Sequence, residues 1–170
     1  IRIIGVQSTG ASAFAPSLAA GEPVTIPIKP TIADGIAVSR PGELTFEAVR
    51  DYVDEVVSVD DDDIAGALIV LLERAKLVVE PAGAVGVAAI MKGLVKDAGS
   101  TVVLLSGGNI DPMFMERVIA RGLAASQRYL TMRVSLPDRP GQLAIISQIV
   151  SDEGANVVEV LHTQHDEWTG

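Results

Sequence analysis

A serine and two glycines at the end of an apolar run form the clearest candidate for chemistry in this sequence. Residues 101–105 are of buried-strand type and lead directly into Ser106, Gly107 and Gly108. A strand that ends in such a turn can present small polar groups to a ligand at the carboxyl edge of an open α/β sheet. The glycines let a flat ligand approach the backbone, and the serine offers a neutral hydroxyl. The alternative is a tight strand-to-helix connection without a ligand.

Carboxylates precede two of the predicted helices. Residues 60–63 are four consecutive aspartates before an apolar-periodic helix over residues 64–76. Aspartate favours the N-cap and the first helical turn, and four consecutive carboxylates point in different directions, so we interpret them as a helix start rather than a metal site. Glu80 stands before Pro81, a residue type suited to the first turn of a helix. Glu80 is therefore either a helix-start carboxylate or an acid close to a site.

Composition narrows the classes of function. The chain has 170 residues, 48% of them hydrophobic, which is ample for one core and marginal for two. A net charge of −9 without a basic stripe argues against nucleic acid and anionic membranes as partners. The absence of cysteine excludes disulfides and thiolate sites and fits a cytoplasmic location. Because the chain starts at Ile1 within a strand pattern, we expect it to be a fragment.

Hydrophobic periodicity predicts an α/β sheet domain over residues 1–126 and a smaller unit over residues 127–170. In the first domain, predicted strands or extended runs alternate with helices, and the apolar strands are typical of a parallel sheet. The helix over residues 82–92 is rich in alanine and glycine, so we expect it to pack very close to a sheet or a ligand. The predicted strands are residues 1–7, 55–59 and 101–105, and residues 24–28 are a short strand or an extended run. The predicted helices are residues 11–20, 44–53, 64–76, 82–92 and 112–125.

The second unit has a different pattern. Residues 129–136 alternate between apolar and polar side chains, which is typical of a half-buried strand. A turn at residues 137–141 leads into a predicted helix over residues 142–153, and a further strand is predicted over residues 156–165. The order of elements is therefore strand, helix, strand.

Three ordered motifs give the chain a resemblance to a known family. The segments TIADGIAV (31–38), VEPAGAVGVAA (79–89) and LLSGGNID (104–111) resemble the second half of the catalytic domain of the threonine dehydratases, or threonine ammonia-lyases. The resemblance implies an α/β fold, a partial tryptophan-synthase-β-like sheet domain of pyridoxal-phosphate (PLP) fold type II. The segments DRPGQL (138–143) and GANVVEV (154–160) resemble half of an ACT-like βαβ module, which binds small effectors.

The resemblance also implies roles for individual residues. Ser106 matches the serine whose hydroxyl meets the pyridine nitrogen of PLP, and Gly107 allows the ring to lie against the backbone. Gly35 would lie near the ring, with Glu80 close by. A neutral hydroxyl does not force protonation of the ring nitrogen, so the ring is a weaker electron sink, which favours prompt loss of the β-hydroxyl group.

The same resemblance implies a regulatory site and an assembly. An amino-acid effector such as isoleucine or valine would place its carboxylate at the start of the helix after Gly141, where free N–H groups point outward. Asn156 would help to bind the amino group, while the alternative is a mere packing domain. The family further implies a role in isoleucine biosynthesis, allosteric control and a cytoplasmic homo-oligomer.

Two features of the family are missing from this sequence. The Schiff-base lysine and the glycine-rich phosphate loop precede the matching segment, and none of the four lysines (Lys29, Lys76, Lys92, Lys96) stands in the family's lysine motif. We therefore expect no catalytic residue in this chain and no activity from it alone. Some relatives hold a divalent cation with a glutamate and an aspartate, but Gln7 and Ala13 stand at the matching positions, so no metal site is expected.

These observations favour part of a PLP-dependent lyase that converts threonine to 2-oxobutanoate and ammonia, and serine to pyruvate. A serine-specific dehydratase or a racemase of the same fold is the second hypothesis, although the ACT-like tail argues against it. A non-catalytic amino-acid sensor, made of a degenerate sheet domain and an ACT module, is the third. Titration with isoleucine or valine beside PLP discriminates the enzyme from the sensor.

Overall fold

Two parallel strands and six α-helices make up the regular structure of residues 1–96, 99–128 and 130–163, the part of the chain that the computed structural model describes. None of the helices in these ranges has the length and apolar character of a membrane span. Short 3₁₀ turns occur at Thr9–Ala11 and Asp34–Ile36. In chain order the elements are β1 (Ile4–Ser8), α1 (Phe14–Ala20), α2 (Glu43–Tyr52), β2 (Glu55–Val59), α3 (Asp61–Val70), α4 (Pro81–Met91), α5 (Pro112–Ala125) and α6 (Gln142–Asp152).

The sheet confirms the predicted parallel arrangement. β1 pairs with β2 in register from Ile4 opposite Glu55 to Ser8 opposite Val59. Parallel pairing requires a crossover, and α1 and α2 lie in the connection between the two strands. Most of β1 is half-buried rather than covered on both faces, whereas Ser8 and Val59 at the carboxyl ends are fully buried. The carboxyl edge of the sheet therefore lies in the core.

The aspartate run begins α3, as predicted. The Asp60 side chain accepts hydrogen bonds from the backbone N–H groups of Asp62 and Asp63, at 3.1 and 3.0 Å. Asp63 accepts the Asp60 N–H in return, which completes a capping box. The hydrogen bond from the Asp63 backbone and the Lys92 ammonium together lower the pKa of Asp60. The run is thus a helix start that is also tied to the end of α4.

The core of the sheet domain is centred on α3, which packs against α4 and α5. α3 continues as a π-helical turn over Leu71–Ala75 and ends at Lys76, which has a left-handed backbone conformation. This end agrees with the predicted helix over residues 64–76. Both α4 and α5 start with a proline in the first turn, and Asp111 caps α5 by accepting the Phe114 N–H. The side chains that fill this core include Ile64, Leu68, Leu71, Val79, Ala84, Ala88 and Val118.

The predicted strand over residues 101–105 is wrong, and residues 24–28, predicted as a short strand or an extended run, form no strand. Residues 24–28 make isolated backbone hydrogen bonds, such as Ile26 N–H to Ser39 carbonyl at 2.9 Å, and no ladder. Residues 101–105 are not paired with another strand, and Val102 and Leu104 are almost fully exposed. Residue type favoured a buried strand, but a strand forms only where its backbone pairs with a neighbour, and the sheet in the described residues consists of β1 and β2.

The chain forms two compact units, Ile1–Leu130 and Thr131–Gly170. In the second unit, α6 confirms the predicted helix over residues 142–153. The flanking strands are wrong where the structure describes them, because residues 130–136 and 156–163 form no strand and are exposed. An alternating segment needs a second edge to pair with, and neither segment has one in the described part of this unit. Tyr129 and residues 164–170, which complete these predictions, lie outside the described residues.

Candidate functional site

Three of the predicted cofactor-binding residues meet around the first turn of α4. The Glu80 carboxylate lies so close to Gly107 that a Cβ at Gly107 would be 2.3 Å from Glu80 Oε1. A Cβ at Gly35 would be 3.6 Å from the same oxygen and 3.1 Å from the Cβ of Ala82. The Glu80 N–H also donates to the Gly107 carbonyl at 3.2 Å. Glu80 therefore lies against both glycines.

Ser106 directly precedes Gly107 in the chain, and its side chain is free to bind a ligand. The residue is exposed, and its hydroxyl makes no hydrogen bond to any residue that the structure describes. A free hydroxyl can accept from or donate to a ligand atom without breaking an existing bond. The side chain is not buried against α5, which would have removed it from the site. The hydroxyl can therefore meet a heteroatom at the position that the sequence predicts.

The conformation of Gly107 explains why a glycine follows the serine. Its φ angle is +96°, in a region that L side chains rarely adopt. The absent side chain also leaves the Glu80 carboxylate its place, since a Cβ at Gly107 would be 2.3 Å from Glu80 Oε1. Gly107 is needed here both for its backbone angle and for its small size.

Glu80 precedes α4 without capping it. It has an extended backbone conformation at the N-cap, but its side chain accepts no hydrogen bond from the helix. Among the described residues it forms no ion pair, since every salt bridge found there involves other acids. By its position, Glu80 is therefore a helix-start residue. Its side chain does not cap the helix and lies against Gly35 and Gly107 instead. A half-buried carboxylate in this place can accept a hydrogen bond from a ligand.

A hydrogen-bonded network holds the turn that carries Gly35. The Thr31 hydroxyl lies 2.8 Å from that of Ser8 at the end of β1 and donates to Asp61 Oδ1 at 2.6 Å. Asp61 Oδ2 accepts the N–H of Ile32 at 3.2 Å. The network joins the turn to the carboxyl end of β1 and to the first turn of α3, so the position of Gly35 depends on both. The sequence did not identify Ser8 and Asp61 as supports of this turn, although Thr31 lies within the motif TIADGIAV.

Gly35 also lines a cleft of about 350 Å³ between β1 and the helices α1 and α2. Gln7 and Ala13, the positions considered for a cation, line this cleft. The Gln7 side-chain nitrogen donates to the Ala11 carbonyl at 3.4 Å, and its oxygen is buried without a partner in the described structure. Neither side chain supplies a carboxylate. In the described part of the chain, no group of three or more histidines, aspartates or glutamates has a metal-binding arrangement.

The two predicted effector-binding residues are not brought together. Gly141 precedes α6 with a φ of +89°, and no side chain caps the helix. Asn156 follows the turn at the other end, where the Ala155 N–H bonds to the Val150 carbonyl at 3.1 Å. An eleven-residue helix is about 16 Å long, so the two residues lie at its opposite ends.

The sequence matches the family model described as "Pyridoxal-phosphate dependent enzyme" over residues 1–107. The chain therefore belongs to this family of PLP-dependent enzymes. Within it, the chain is 44% identical over 164 residues to an L-threonine ammonia-lyase of Thermotoga maritima, covering 96% of this chain and 41% of the relative. It is 47% identical over 163 residues to an L-threonine ammonia-lyase of Geobacter sulfurreducens, covering 95% and 40%. The chain thus spans about two fifths of these relatives.

Solved structures support the same relationship. The processed form of threonine deaminase isoform 2 from Solanum lycopersicum superposes with a TM-score of 0.62 at 31% identity, covering 71% of this chain and 36% of that one. Maize serine racemase superposes with a TM-score of 0.61 at 38% identity, covering 69% and 38%. The α/β fold of the sheet domain is therefore that of PLP enzymes of fold type II. The strand, helix, strand order predicted for the second unit has no such support.

The residues present fit the ring of the family's cofactor. A planar ring requires backbone without side chains on one face and a polar partner for its nitrogen. The absent side chains of Gly35 and Gly107 make room for Glu80 and Ala82, so Glu80 lies beside Ser106, and the exposed Ser106 hydroxyl is free to meet a ring nitrogen. The small-residue face of α4, noted from the sequence, brings this helix against the Val103 side chain and the Ser106 backbone.

Proposed function

We propose that this chain forms the ring-binding part of a PLP-dependent enzyme that deaminates L-threonine to 2-oxobutanoate and ammonia, and serine to pyruvate. The free hydroxyl of Ser106 beside Gly107, Glu80 and Gly35 carries the proposal. The names of the relatives in Thermotoga and Geobacter support the choice of threonine. When bound, PLP supplies a conjugated ring that withdraws electrons from the carbon atom bearing the amino group.

The residues of this chain hold the ring and set its charge. Ser106 is neutral, so it hydrogen-bonds to the ring nitrogen without forcing a proton onto it. Gly35 and Gly107 leave the Glu80 carboxylate its place beside Ser106. Glu80 would accept a hydrogen bond from a donor group of the bound cofactor or substrate.

No lysine of this chain is placed to serve as the base. Lys92 is bound by Asp60 and Asp63 at the end of α4, and Lys76 ends the π-helical turn after α3. Lys29 and Lys96 stand in no motif of the family. We therefore expect the proton-transfer lysine from a segment of the whole enzyme that this chain does not contain, and no turnover by the 170 residues alone.

A chimera tests this proposal directly. In it, the chain replaces the matching 41% of the Thermotoga relative, and threonine deamination is followed through 2-oxobutanoate. The chimera should bind PLP and deaminate threonine, the Ser106→Ala variant should lose most of this rate, and the isolated chain should be inactive. Turnover by the isolated chain would contradict the proposal, as would a folded, PLP-loaded chimera that leaves threonine unchanged.

Similarity to maize serine racemase keeps a second activity in consideration. Racemisation returns the α-proton and retains the β-hydroxyl, whereas deamination loses it. Incubation of the chimera with L-serine, followed by chiral analysis beside a pyruvate assay, separates the two. We expect pyruvate to exceed D-serine; an excess of D-serine would favour the racemase.

The second unit is proposed to be an ACT-like regulatory half-module in a cytoplasmic homo-oligomer. The uncapped start of α6 after Gly141 offers free N–H groups to a carboxylate. Asn156, which follows α6, would bind the amino group of the effector. Isoleucine or valine should raise the thermal midpoint of the chimera, and Asn156→Ala should reduce the shift. An equal shift in both proteins would contradict an effector role for Asn156.

A further inference from the structure

We propose that Gly83 is the positioning residue for the Ser106 hydroxyl, acting through the Ser106 backbone. This inference rests on the proposed function, since it explains how the partner of the ring nitrogen is placed. Gly83 lies on the buried face of α4, one turn after Glu80. A Cβ at Gly83 would be 2.3 Å from the Ser106 carbonyl oxygen and 3.0 Å from its carbonyl carbon. Only a hydrogen atom fits between these two backbones.

The contact replaces the strand pairing that residues 101–105 lack. At Gly86, one helical turn further along α4, a Cβ would be 2.8 Å from Val103 Cγ1. At the other end of the contact, the Glu80 N–H donates to the Gly107 carbonyl at 3.2 Å. The chain from Val103 to Gly107 is therefore held by the glycine face and the first turn of α4. In the described structure no strand provides an alternative support.

The two glycines differ in what they touch. Gly86 meets the side chain of Val103 and no backbone atom. Gly83 meets backbone, which can yield only if the whole residue moves. A methyl group there requires a shift of at least about 0.7 Å, the difference between 2.3 Å and the 3.0 Å below which real Cβ contacts essentially do not occur. Because Ser106 is exposed and α4 is buried, residue 106 is the side that yields.

A shift of this size is enough to remove a hydrogen bond. A hydroxyl bond to a ring nitrogen of about 2.8 Å would lengthen to about 3.5 Å, beyond the useful range. Helix propensity alone predicts the opposite outcome, because alanine is the better helix former. A loss of ring binding in Gly83→Ala, without a loss of fold, is therefore the signature of positioning.

The test uses the chimera with the Thermotoga relative and measures the dissociation constant of PLP. Gly83→Ala should weaken binding about five- to tenfold, the equivalent of one net hydrogen bond. Gly66→Ala on α3, where a Cβ meets nothing within 4 Å, is the matched control. It should stay within about twofold of the wild type, while thermal midpoints report folding.

A double-mutant cycle separates positioning from a general structural effect. In the Ser106→Ala background, Gly83→Ala should change the PLP dissociation constant less than about twofold, because the hydroxyl is already absent. A cofactor analogue in which carbon replaces the ring nitrogen should bind the wild type and Gly83→Ala equally. Additive losses, or an equal loss with the analogue, would overturn the inference.

The remaining outcomes are also decisive. A Gly83→Ala chain that does not fold would contradict the inference. The inference requires the exposed segment around Ser106 to move while α4 keeps its position. A Cβ at Gly83 would also clash with Val79 Cγ1, at 2.9 Å. The double variant Val79→Ala, Gly83→Ala removes that clash and shows whether the contact with Ser106 alone prevents folding. If Ser106→Ala leaves the PLP dissociation constant unchanged, the proposed function fails. If Ser106→Ala weakens PLP binding and Gly83→Ala does not, only this inference is rejected.

Discussion

Replacement of Gly107 by alanine should destabilise the protein in two separable ways. The backbone φ of +96° is strained for an L residue and costs about 1–2 kcal/mol. The new Cβ would also lie 2.3 Å from Glu80 Oε1 and 2.6 Å from Glu80 Cδ, so the carboxylate must leave its place. Loss of that packing adds about 1 kcal/mol, and we expect about 2–3 kcal/mol in total. The effect should reach the whole domain because the Gly107 carbonyl is bonded to the start of α4.

The assay is urea unfolding of the 170-residue chain, followed by circular dichroism. In a Glu80→Ala background the clash is gone, so Gly107→Ala should cost only the backbone strain, about 1–2 kcal/mol. Glu80→Ala removes no helix cap, since its side chain makes no capping bond. Gly108→Ala is the matched control, because Gly108 has no positive φ and its Cβ would meet the Val78 carbonyl oxygen at 3.1 Å. A cost for Gly107→Ala equal to that of the control would refute the assignment of the turn.

Two further predictions concern the supports of the site. Thr31→Val removes the hydroxyl that binds Asp61 and should lower the free energy of unfolding, measured in urea, by about 1–3 kcal/mol. Thr31→Ser keeps the hydroxyl and should lower it by less than about 1 kcal/mol. Equal losses in the two variants would contradict a stabilising role of the network. Asp60→Ala should cost about 1 kcal/mol through loss of the cap, and Asp60→Asn much less. Because the hydrogen bond from the Asp63 backbone and Lys92 lower the pKa of Asp60 below 3.8, its charge stabilises the fold above that pH, and this contribution is lost as the pH falls through the lowered pKa. Asp60→Asn should lack that acid step, and its persistence would contradict the assignment.

Helix limits were predictable because their signals are local. The four aspartates before α3, and Asp111 with Pro112 before α5, mark helix starts through caps and a fixed proline φ. α5 occupies the predicted residues, α2 and α4 are each shifted by one residue at both ends, and α6 ends one residue earlier than predicted. Local hydrogen bonds and side-chain periodicity suffice for such elements.

Strand pairing was not predictable from residue type. Residues 101–105 and residues 130–136 have strand composition, yet neither forms a ladder in the described structure. A strand depends on a partner that is distant in sequence, and composition does not identify it. In the first case the glycine face of α4 provides the support, which only the structure reveals.

The site was predictable in part. Motif order placed Gly35, Glu80 and Gly107 in one region, and the structure brings these three together. The residues that hold them were missed, because the contacts of Gly83 with Ser106 and of Thr31 with Asp61 join segments 23 and 30 residues apart. The stripe of small residues on α4 was the available signal, and it indicated close packing without identifying the neighbour.

The central claim is that the Ser106 hydroxyl meets the ring nitrogen of the cofactor. A crystal structure of the PLP-loaded chimera measures the distance between Ser106 Oγ and that nitrogen. We expect about 2.8 Å, within hydrogen-bonding range. A nitrogen that faces another group, or that lies well beyond about 3.5 Å from Ser106 Oγ, would contradict the account.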